Sequence, residues 1–215
     1  MIIEQQELQI LHNDPAFLLV NKPGGLLSVP GRGPDKQDCV VNRVKSMFPD
    51  IIPQPAVHRL DMYTSGIMLL AKNSASHRNL SKQFEQRRVH KEYIAALDGI
   101  VKKDSGLIDL KFRLDTENRP RQIYDAKRGK QGISRWQKIY DKEGKSYIRF
   151  FPLTGRTHQL RLHASHPLGL GIPIVGDSLY GNGNDGDKMF LHASAISFHH
   201  PVTGTEIQIL SEADF

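Results

Sequence analysis

Residues 56–73, AVHRLDMYTSGIMLLAKN, join a polar turn to an apolar run. Asp61 is the single carboxylate of this stretch and stands beside His58 and Arg59. Beyond Gly66, the run IMLLA has the length and apolarity of a buried strand, although its periodicity also fits a helical fragment. The flanking glycine favours the strand. The stretch therefore predicts one carboxylate held in a turn at the mouth of a buried strand.

Outward from this stretch, strands and helices follow one another. Towards the N-terminus, 7–11 and 16–21 form two predicted strands around an Asn-Asp-Pro turn, and Asp38 is the expected N-cap of a helix with Val44 on its buried face. Towards the C-terminus, Asn73 or Ser74 caps a second helix. This half of the chain therefore combines predicted strands with two predicted helices.

The remainder is rich in predicted strands. Short predicted strands at 106–112, 133–140 and 147–153 are separated by turns, which is typical of an antiparallel meander. Further strands are predicted at 91–101 and, as a pair around a turn, within 190–210. Between them, TGRTHQLRLHASHPLG is expected to be a helix opened by Thr154 or Thr157. No linker or repeat marks a boundary, so the sequence predicts one α+β domain over residues 1–215.

Composition restricts the classes of function. The net charge is +6, and residues 61–130 carry the whole excess, with 15 Lys and Arg against 9 Asp and Glu. This band suits a polyanion such as nucleic acid, and a solvated basic surface explains it equally well. Cys39 is the single cysteine, which excludes an internal disulfide. The acidic start MIIEQQELQI and the lack of a long apolar run argue against export or a membrane span, so a cytoplasmic protein is expected.

Few residues suit catalysis. His-Arg-Leu-Asp lacks the phosphate loop of a kinase, and Ser65 lacks the first glycine of a nucleophile elbow. His158 and His163 are five apart and have no clear acidic third ligand, so no metal site is predicted. Asp61 remains as a lone functional carboxylate, for which Arg161 is a possible ionic partner. A structural aspartate that caps a turn is the simpler alternative.

Six motifs in order resemble the RluA family of RNA pseudouridine synthases. They are NKPGGLLSVPGR at 21–32, HRLDxxTSG at 58–66, HKEYIA at 90–95, NRPRQ at 118–122, TGRTHQLRLH at 154–163 and LHA at 191–193. The likeness is strongest to short members without an N-terminal S4 domain. It implies the α+β pseudouridine synthase fold, with a central mixed, largely antiparallel sheet, flanking helices and an RNA-binding cleft. It also implies isomerisation of uridine in RNA without cofactor or metal.

The resemblance also implies roles for single residues. Asp61 matches the essential aspartate, which acts on the ribose as a nucleophile or as a base; Arg161 matches its basic partner, and Tyr93 matches the tyrosine of the uracil pocket. Arg59 is expected to fill the place of the flipped uridine, and Leu191 to pack against the flipped base. Further RNA contacts are expected from His58, His158, Gln159, Arg119 and Arg121.

The expected partner is structured RNA. The resemblance implies a uridine in large-subunit ribosomal RNA and one in the anticodon stem-loop of transfer RNA. A monomer is the default expectation, and no protein partner is predicted. A synthase specific for one RNA, a non-catalytic RNA-binding module and a metal-dependent nuclease are the alternatives. The module leaves Asp61 without a function, and the nuclease would cut the RNA chain and respond to chelators.

Overall fold

The computed structural model describes residues 7–215. Residues 1–6, which belong to the acidic start MIIEQQELQI used above as an argument against export, lie outside the described part. The chain divides into two units, one formed by residues up to Val89 with Ala193–Glu212, the other by His90–His192 with Ala213–Phe215. The single domain over 1–215 stays a prediction.

The described residues form ten strands and three α-helices. In chain order these are β1 (Gln9–Asn13), β2 (Phe17–Lys22), α1 (Val40–Met47), β3 (Ser65–Ala71), α2 (Ser74–Glu85), β4 (His90–Leu97), β5 (Ser105–Leu114), β6 (Gln122–Tyr124), β7 (Lys130–Lys142), β8 (Lys145–Pro152), α3 (Gln159–Ser165), β9 (Leu191–His199) and β10 (Glu206–Leu210). The predicted α+β class is confirmed. The three-residue strand β6 was not predicted from the sequence.

In the first unit, strands β1, β2, β3 and β9 lie side by side, and β10 pairs with β9. The pairs β1–β2, β2–β3 and β9–β10 are antiparallel. One face of β2 and β3 packs on α1 through Val20 and Met68, and the opposite face packs on Leu80 of α2 through Leu19 and Ile67. Because both faces of β3 are covered, its run IMLLA from Ile67 to Ala71 is apolar throughout and fully buried, as predicted.

The caps of the two helices in this unit differ in how well they were predicted. Asn73 caps α2, because its side chain accepts a hydrogen bond from Ser76 N–H at 2.9 Å. The prediction for α1 was wrong by one residue. Cys39 holds the N-cap position and accepts from Asn42 N–H, while Asp38 forms an ion pair with Arg43.

In the second unit, the strands lie in the order β4, β8, β7, β5 and β6. The pairs β4–β8, β7–β8, β5–β7 and β5–β6 are antiparallel. The pairs β5–β7 and β7–β8 confirm the antiparallel arrangement that was predicted for these three strands. Tyr93 of β4 lies opposite Phe150 of β8. No helix within the described range 7–215 is long and apolar enough to cross a membrane.

The prediction for α3 was wrong in its start. The helix begins at Gln159, and His158 precedes it in the left-handed conformation with φ 55°, so neither Thr154 nor Thr157 caps it. Thr154 is used elsewhere, because its hydroxyl accepts from Ile133 N–H of β7 at 2.8 Å. All six residues from Gln159 to Ala164 are buried.

Candidate active site

The loop 58–64, which carries Asp61, is held at alternate residues. His58 provides the first point of attachment: its Nε2 accepts a hydrogen bond from Leu69 N–H of β3 at 2.9 Å. Its ring stacks on Phe84 of α2, with centroids 4.8 Å apart. Nε2 is therefore the unprotonated nitrogen of the neutral ring. His58 was predicted to contact RNA; in the structure its ring supports the path of the loop, and the RNA contact stays a prediction.

Leu60 is the second point of attachment. Its backbone N–H donates to Ser28 Oγ at 3.0 Å, and the Ser28 hydroxyl donates back to the Leu60 carbonyl at 2.7 Å. The Leu60 side chain is buried. Ser28 is itself buried, so these bonds are shielded from competing water. Both backbone groups of the residue before Asp61 are therefore fixed by one hydroxyl.

Lys22 provides the third point of attachment. Its side chain is fully buried, and its ammonium donates to the carbonyls of Pro23, Leu26 and Met62 at 2.9, 2.7 and 2.8 Å. Three acceptors match the three protons of an ammonium group. Burial lowers the pKa of Lys22 to about 7, and the negative charge of Asp61 opposes part of that shift. Lys22 thus connects the loop after β2 to the residue that follows Asp61.

Arg59 and Asp61 lie between the fixed residues. Arg59 is exposed and Asp61 is partly exposed. The Asp61 carbonyl accepts from Thr64 N–H at 3.1 Å, which closes the turn before β3. At Gly66, with φ 107°, a Cβ atom would lie 2.4 Å from the backbone of Ala193, so only glycine allows this close strand contact. The predicted turn at the mouth of a buried strand is therefore present and rigidly built.

Arg161 is anchored within the second unit by a carboxylate that the sequence analysis did not identify. Its Nε and NH2 groups donate to Oδ2 and Oδ1 of Asp177 at 2.8 and 2.6 Å. The side chains are 3% and 0% exposed. Burial alone would raise the pKa of Asp177, but hydrogen bonds and charge from Arg161, with backbone N–H groups, lower it overall. The pairing of Arg161 with Asp61 stays a prediction.

Gln159 was predicted to contact RNA, and its contacts argue against that role. Its amide oxygen accepts from the Thr154 hydroxyl and from Arg156 N–H, at 2.7 and 3.1 Å. Its amide nitrogen donates to the Ile133 carbonyl and to Ser134 Oγ, at 3.0 and 2.9 Å. Both protons and both lone pairs of the buried amide are therefore used inside the unit. We expect Gln159 to order the loop before α3 and to make no direct RNA contact.

The other predicted residues of the second unit are placed as follows. Tyr93 is partly buried on β4, and Lys91 shares its face two residues earlier; burial lowers the pKa of Lys91. Leu191 is buried at the start of β9. Arg119 and Arg121 are exposed on the loop before β6. Their proposed contacts with RNA stay predictions.

His158 and His163 have different surroundings in the second unit. His158 is buried, and its Nδ1 lies 2.9 Å from the hydroxyl of Tyr180. His163 is buried edge-on against Phe112, and neither ring nitrogen has a hydrogen-bond partner among residues 7–215. Burial lowers the pKa of His163 to about 4. In the described part of the chain, no three His, Cys, Asp or Glu side chains are grouped to hold a metal.

Comparison with known proteins identifies the family. A family model described as RNA pseudouridylate synthase matches residues 16–166. The chain belongs to this RNA pseudouridylate synthase family. Its activity is accordingly that of an isomerase acting on RNA, and the fold is the pseudouridine synthase fold that the motifs implied.

Relatives support the family over nearly the whole chain. The Dual-specificity RNA pseudouridine synthase RluA of Yersinia pestis is 40% identical over 210 residues, which cover 96% of this chain and 99% of that protein. The protein of the same name from Escherichia coli (strain K12) is 37% identical, over 97% and 94% of the two chains. The solved structure of Human RNA Pseudouridylate Synthase Domain Containing 1 aligns with a TM-score of 0.78 at 28% identity, covering 97% of this chain and 84% of that one.

Three residues of this family member were missed from the sequence. Lys22 lies in the quoted motif NKPGGLLSVPGR, which contributed to the family resemblance without a role for Lys22 itself. Asp177 and Tyr180 lie in the segment GDSLYG at 176–181, which was not used at all. A glycine-flanked stretch with an acid and a tyrosine near the C-terminal strands was the available signal. Each of them also has a distant partner, namely Met62 for Lys22, Arg161 for Asp177 and Gln122 for Tyr180, at 40, 16 and 58 positions in sequence, which local patterns could not reveal.

Proposed function

We propose that this synthase isomerises a uridine in large-subunit ribosomal RNA and a uridine in the anticodon stem-loop of transfer RNA. The relatives from Yersinia pestis and Escherichia coli carry the description dual-specificity, and the likeness to them extends over almost the full chain. A synthase that modifies only one of the two RNAs is the alternative. The observation that carries the proposal is the loop 58–64, which is fixed from both sides and leaves Asp61 accessible.

The proposed chemistry exchanges one bond for another within the nucleotide. Asp61 either attacks the ribose C1′ or removes the 2′ proton, and in both routes the bond from N1 to C1′ breaks. The uracil then turns and C5 bonds to C1′, which releases the Asp61 carboxylate from C1′ in the first route and returns the proton to C2′ in the second. The proton of C5 leaves while N1 gains one. Tyr93 stacks on the uracil and accepts or relays the C5 proton. Arg161 stabilises the ionised carboxylate of Asp61 by opposite charge.

Access to the uracil requires that the nucleotide leave its stack, at a cost of a few kcal/mol. We assign Arg59 to the vacated place in the RNA, because it is exposed and directly adjacent to the anchored Leu60. Because the backbone beside Arg59 is already fixed, Arg59 loses less conformational entropy when it inserts into the RNA. Leu191 packs against the flipped base in this proposal. The basic excess of residues 61–130, including Arg119 and Arg121, contacts the phosphate backbone.

Several broader assignments belong to the same proposal. The two units act together as one catalytic domain over residues 1–215, the enzyme works as a monomer without a protein partner, and no cofactor takes part. A cytoplasmic location suits an enzyme that acts on ribosomal and transfer RNA. Cys39, the single cysteine of the sequence, is buried, which suits a reducing compartment.

The test is tritium release from two transcripts labelled at uracil C5, a transfer RNA and a large-subunit ribosomal RNA fragment. Release from both supports dual specificity, and release from one supports the single-RNA alternative. RNA that is bound without release from either transcript supports the non-catalytic module. Shortened RNA that chelators protect supports the nuclease. Either of the last two results contradicts the proposed function.

A further inference from the structure

Tyr180 has no role in the chemistry proposed above, yet its hydroxyl joins two parts of the second unit. The oxygen accepts a hydrogen bond from Gln122 N–H at 2.7 Å and lies 2.9 Å from His158 Nδ1. The phenol oxygen has two lone pairs and one proton, so it can accept from the Gln122 N–H and also pair with Nδ1, as donor or acceptor according to the tautomer of His158. Tyr180 therefore contacts both the start of β6 and the ring of the buried His158.

The ring of Tyr180 contacts two arginines. The guanidinium carbon of Arg161 lies 5.2 Å from the ring centroid, and that of Arg121 lies 5.7 Å away. These distances fall within the range of cation–π attraction. Arg161 is almost completely buried, where such contacts are strongest, and Arg121 is exposed. The ring is thus a common surface for the proposed partner of the catalytic acid and for a proposed RNA contact.

The backbone of Tyr180 strengthens the link to Arg161. The Tyr180 N–H donates at 3.0 Å to Oδ1 of Asp177, the same oxygen that receives NH2 of Arg161. The ring and the backbone of one residue therefore restrict the orientation of the same guanidinium. The hydroxyl faces different groups, namely the Gln122 backbone and His158, so the two ends of the side chain act on different parts of the unit.

We propose that Tyr180 is a positioning residue with two separable effects. The hydroxyl orders the loop that carries Arg119 and Arg121, and so increases the affinity for RNA. The ring orients Arg161, and so increases the rate of the chemical step. This inference rests on the proposed function, because it takes the roles of Arg161 and of the arginine loop from there.

The test compares Tyr180→Phe with Tyr180→Met in steady-state pseudouridine formation on the transcript that the wild type modifies faster. Phe keeps the ring and removes the hydroxyl, so KM is expected to rise roughly tenfold while kcat stays within about twofold. Met removes both the ring and the hydroxyl, so kcat is expected to fall at least about tenfold while KM rises as in the Phe variant. Tyr140→Phe is the matched control: Tyr140 is half-exposed, stacks on Tyr147, and should tolerate the change.

A purely structural role predicts a different result. In that case both variants would lower the midpoint of urea unfolding, while KM and kcat per folded molecule would equal those of the wild type. That outcome, or a fall in kcat of equal size in both variants, overturns the inference. If the Met variant does not fold, the separation of KM from kcat in Tyr180→Phe decides the question alone. A wild type that forms no pseudouridine refutes the proposed function and this inference with it.

Discussion

Replacement of Asp177 by asparagine tests the buried ion pair that fixes Arg161. The variant keeps the shape of the side chain and removes its charge. One oxygen can still accept from Arg161 NH2 and from the N–H groups of Leu179 and Tyr180, as Oδ1 does now. The new NH2 group meets the Nε donor of Arg161, where Oδ2 accepts at 2.8 Å in the wild type. One hydrogen bond is lost, and a guanidinium that is 3% exposed loses its counter-charge.

The expected cost follows from burial. Removal of one partner from a buried pair destabilises proteins by about 3–5 kcal/mol, because the remaining charge is left without compensation. The chain offers a matched control in Asp38→Asn. Arg43 donates to both oxygens of Asp38 at 2.7 Å, the same two-bond geometry, but Asp38 is 52% exposed. Solvent screening limits the loss there to about 1 kcal/mol.

Urea unfolding at pH 7 measures both changes. Circular dichroism follows the whole chain, and fluorescence of the single tryptophan, Trp136 in β7, follows the second unit. The free energy of unfolding should fall by about 3–5 kcal/mol in Asp177→Asn and by about 1 kcal/mol or less in Asp38→Asn. Equal losses in the two variants would refute the reasoning, because they would mean that burial of the Arg161–Asp177 pair has no energetic consequence.

Two further predictions concern stability and pH. Burial holds the pKa of Lys22 at about 7 instead of 10.5. Between these pH values the unfolded chain binds a proton that the folded chain has lost, so the folded state becomes more stable as the pH rises. The free energy of unfolding of the wild type minus that of Lys22→Met should therefore increase with pH, by at most about 1.4 kcal/mol per pH unit. Denaturant titrations of both proteins at pH 7.5 and 9.5 check this, and parallel profiles would contradict it. Burial holds the pKa of His163 at about 4 instead of 6.5. Between these pH values the unfolded chain binds a proton that the folded chain does not, so the free energy of unfolding of the wild type should decrease as the pH falls from 6.5 towards 4. His163→Leu should lack this loss in thermal unfolding between pH 4.5 and 7, and an unchanged acid dependence would show that another group causes it.

Much of the fold followed from local sequence patterns. The run IMLLA forms most of β3, and its apolar side chains pack on both faces of the first unit's sheet. Asn73 caps α2 by accepting a hydrogen bond from the N–H of Ser76, the third residue of that helix. Such features depend on neighbours in sequence. The error at α3 has the opposite origin. Thr154 was free to cap a helix in the sequence, but β7 provides a backbone N–H for its hydroxyl, and the helix starts later.

The candidate site was only partly predictable for the same reason. The motif around Asp61 is local, so its turn could be expected from residues 58–66 alone. Lys22, however, is separated from Met62 by 40 positions, and its buried ammonium contradicts the usual exposure of lysine. Arg161 was expected to have an acidic partner, and the structure adds Asp177, 16 residues later. Side chains that position others depend on tertiary contacts, which one sequence does not display.

The most direct test of the proposed mechanism is pseudouridine content after reaction with Asp61→Asn, measured by nucleoside chromatography beside the wild type. Asp50→Asn, an exposed aspartate of the same unit, is the control. The account predicts that the wild type and the control form pseudouridine, while Asp61→Asn binds the transcript with similar affinity and forms none. Product from Asp61→Asn at the rate of the control would contradict the central claim that this carboxylate carries the chemistry.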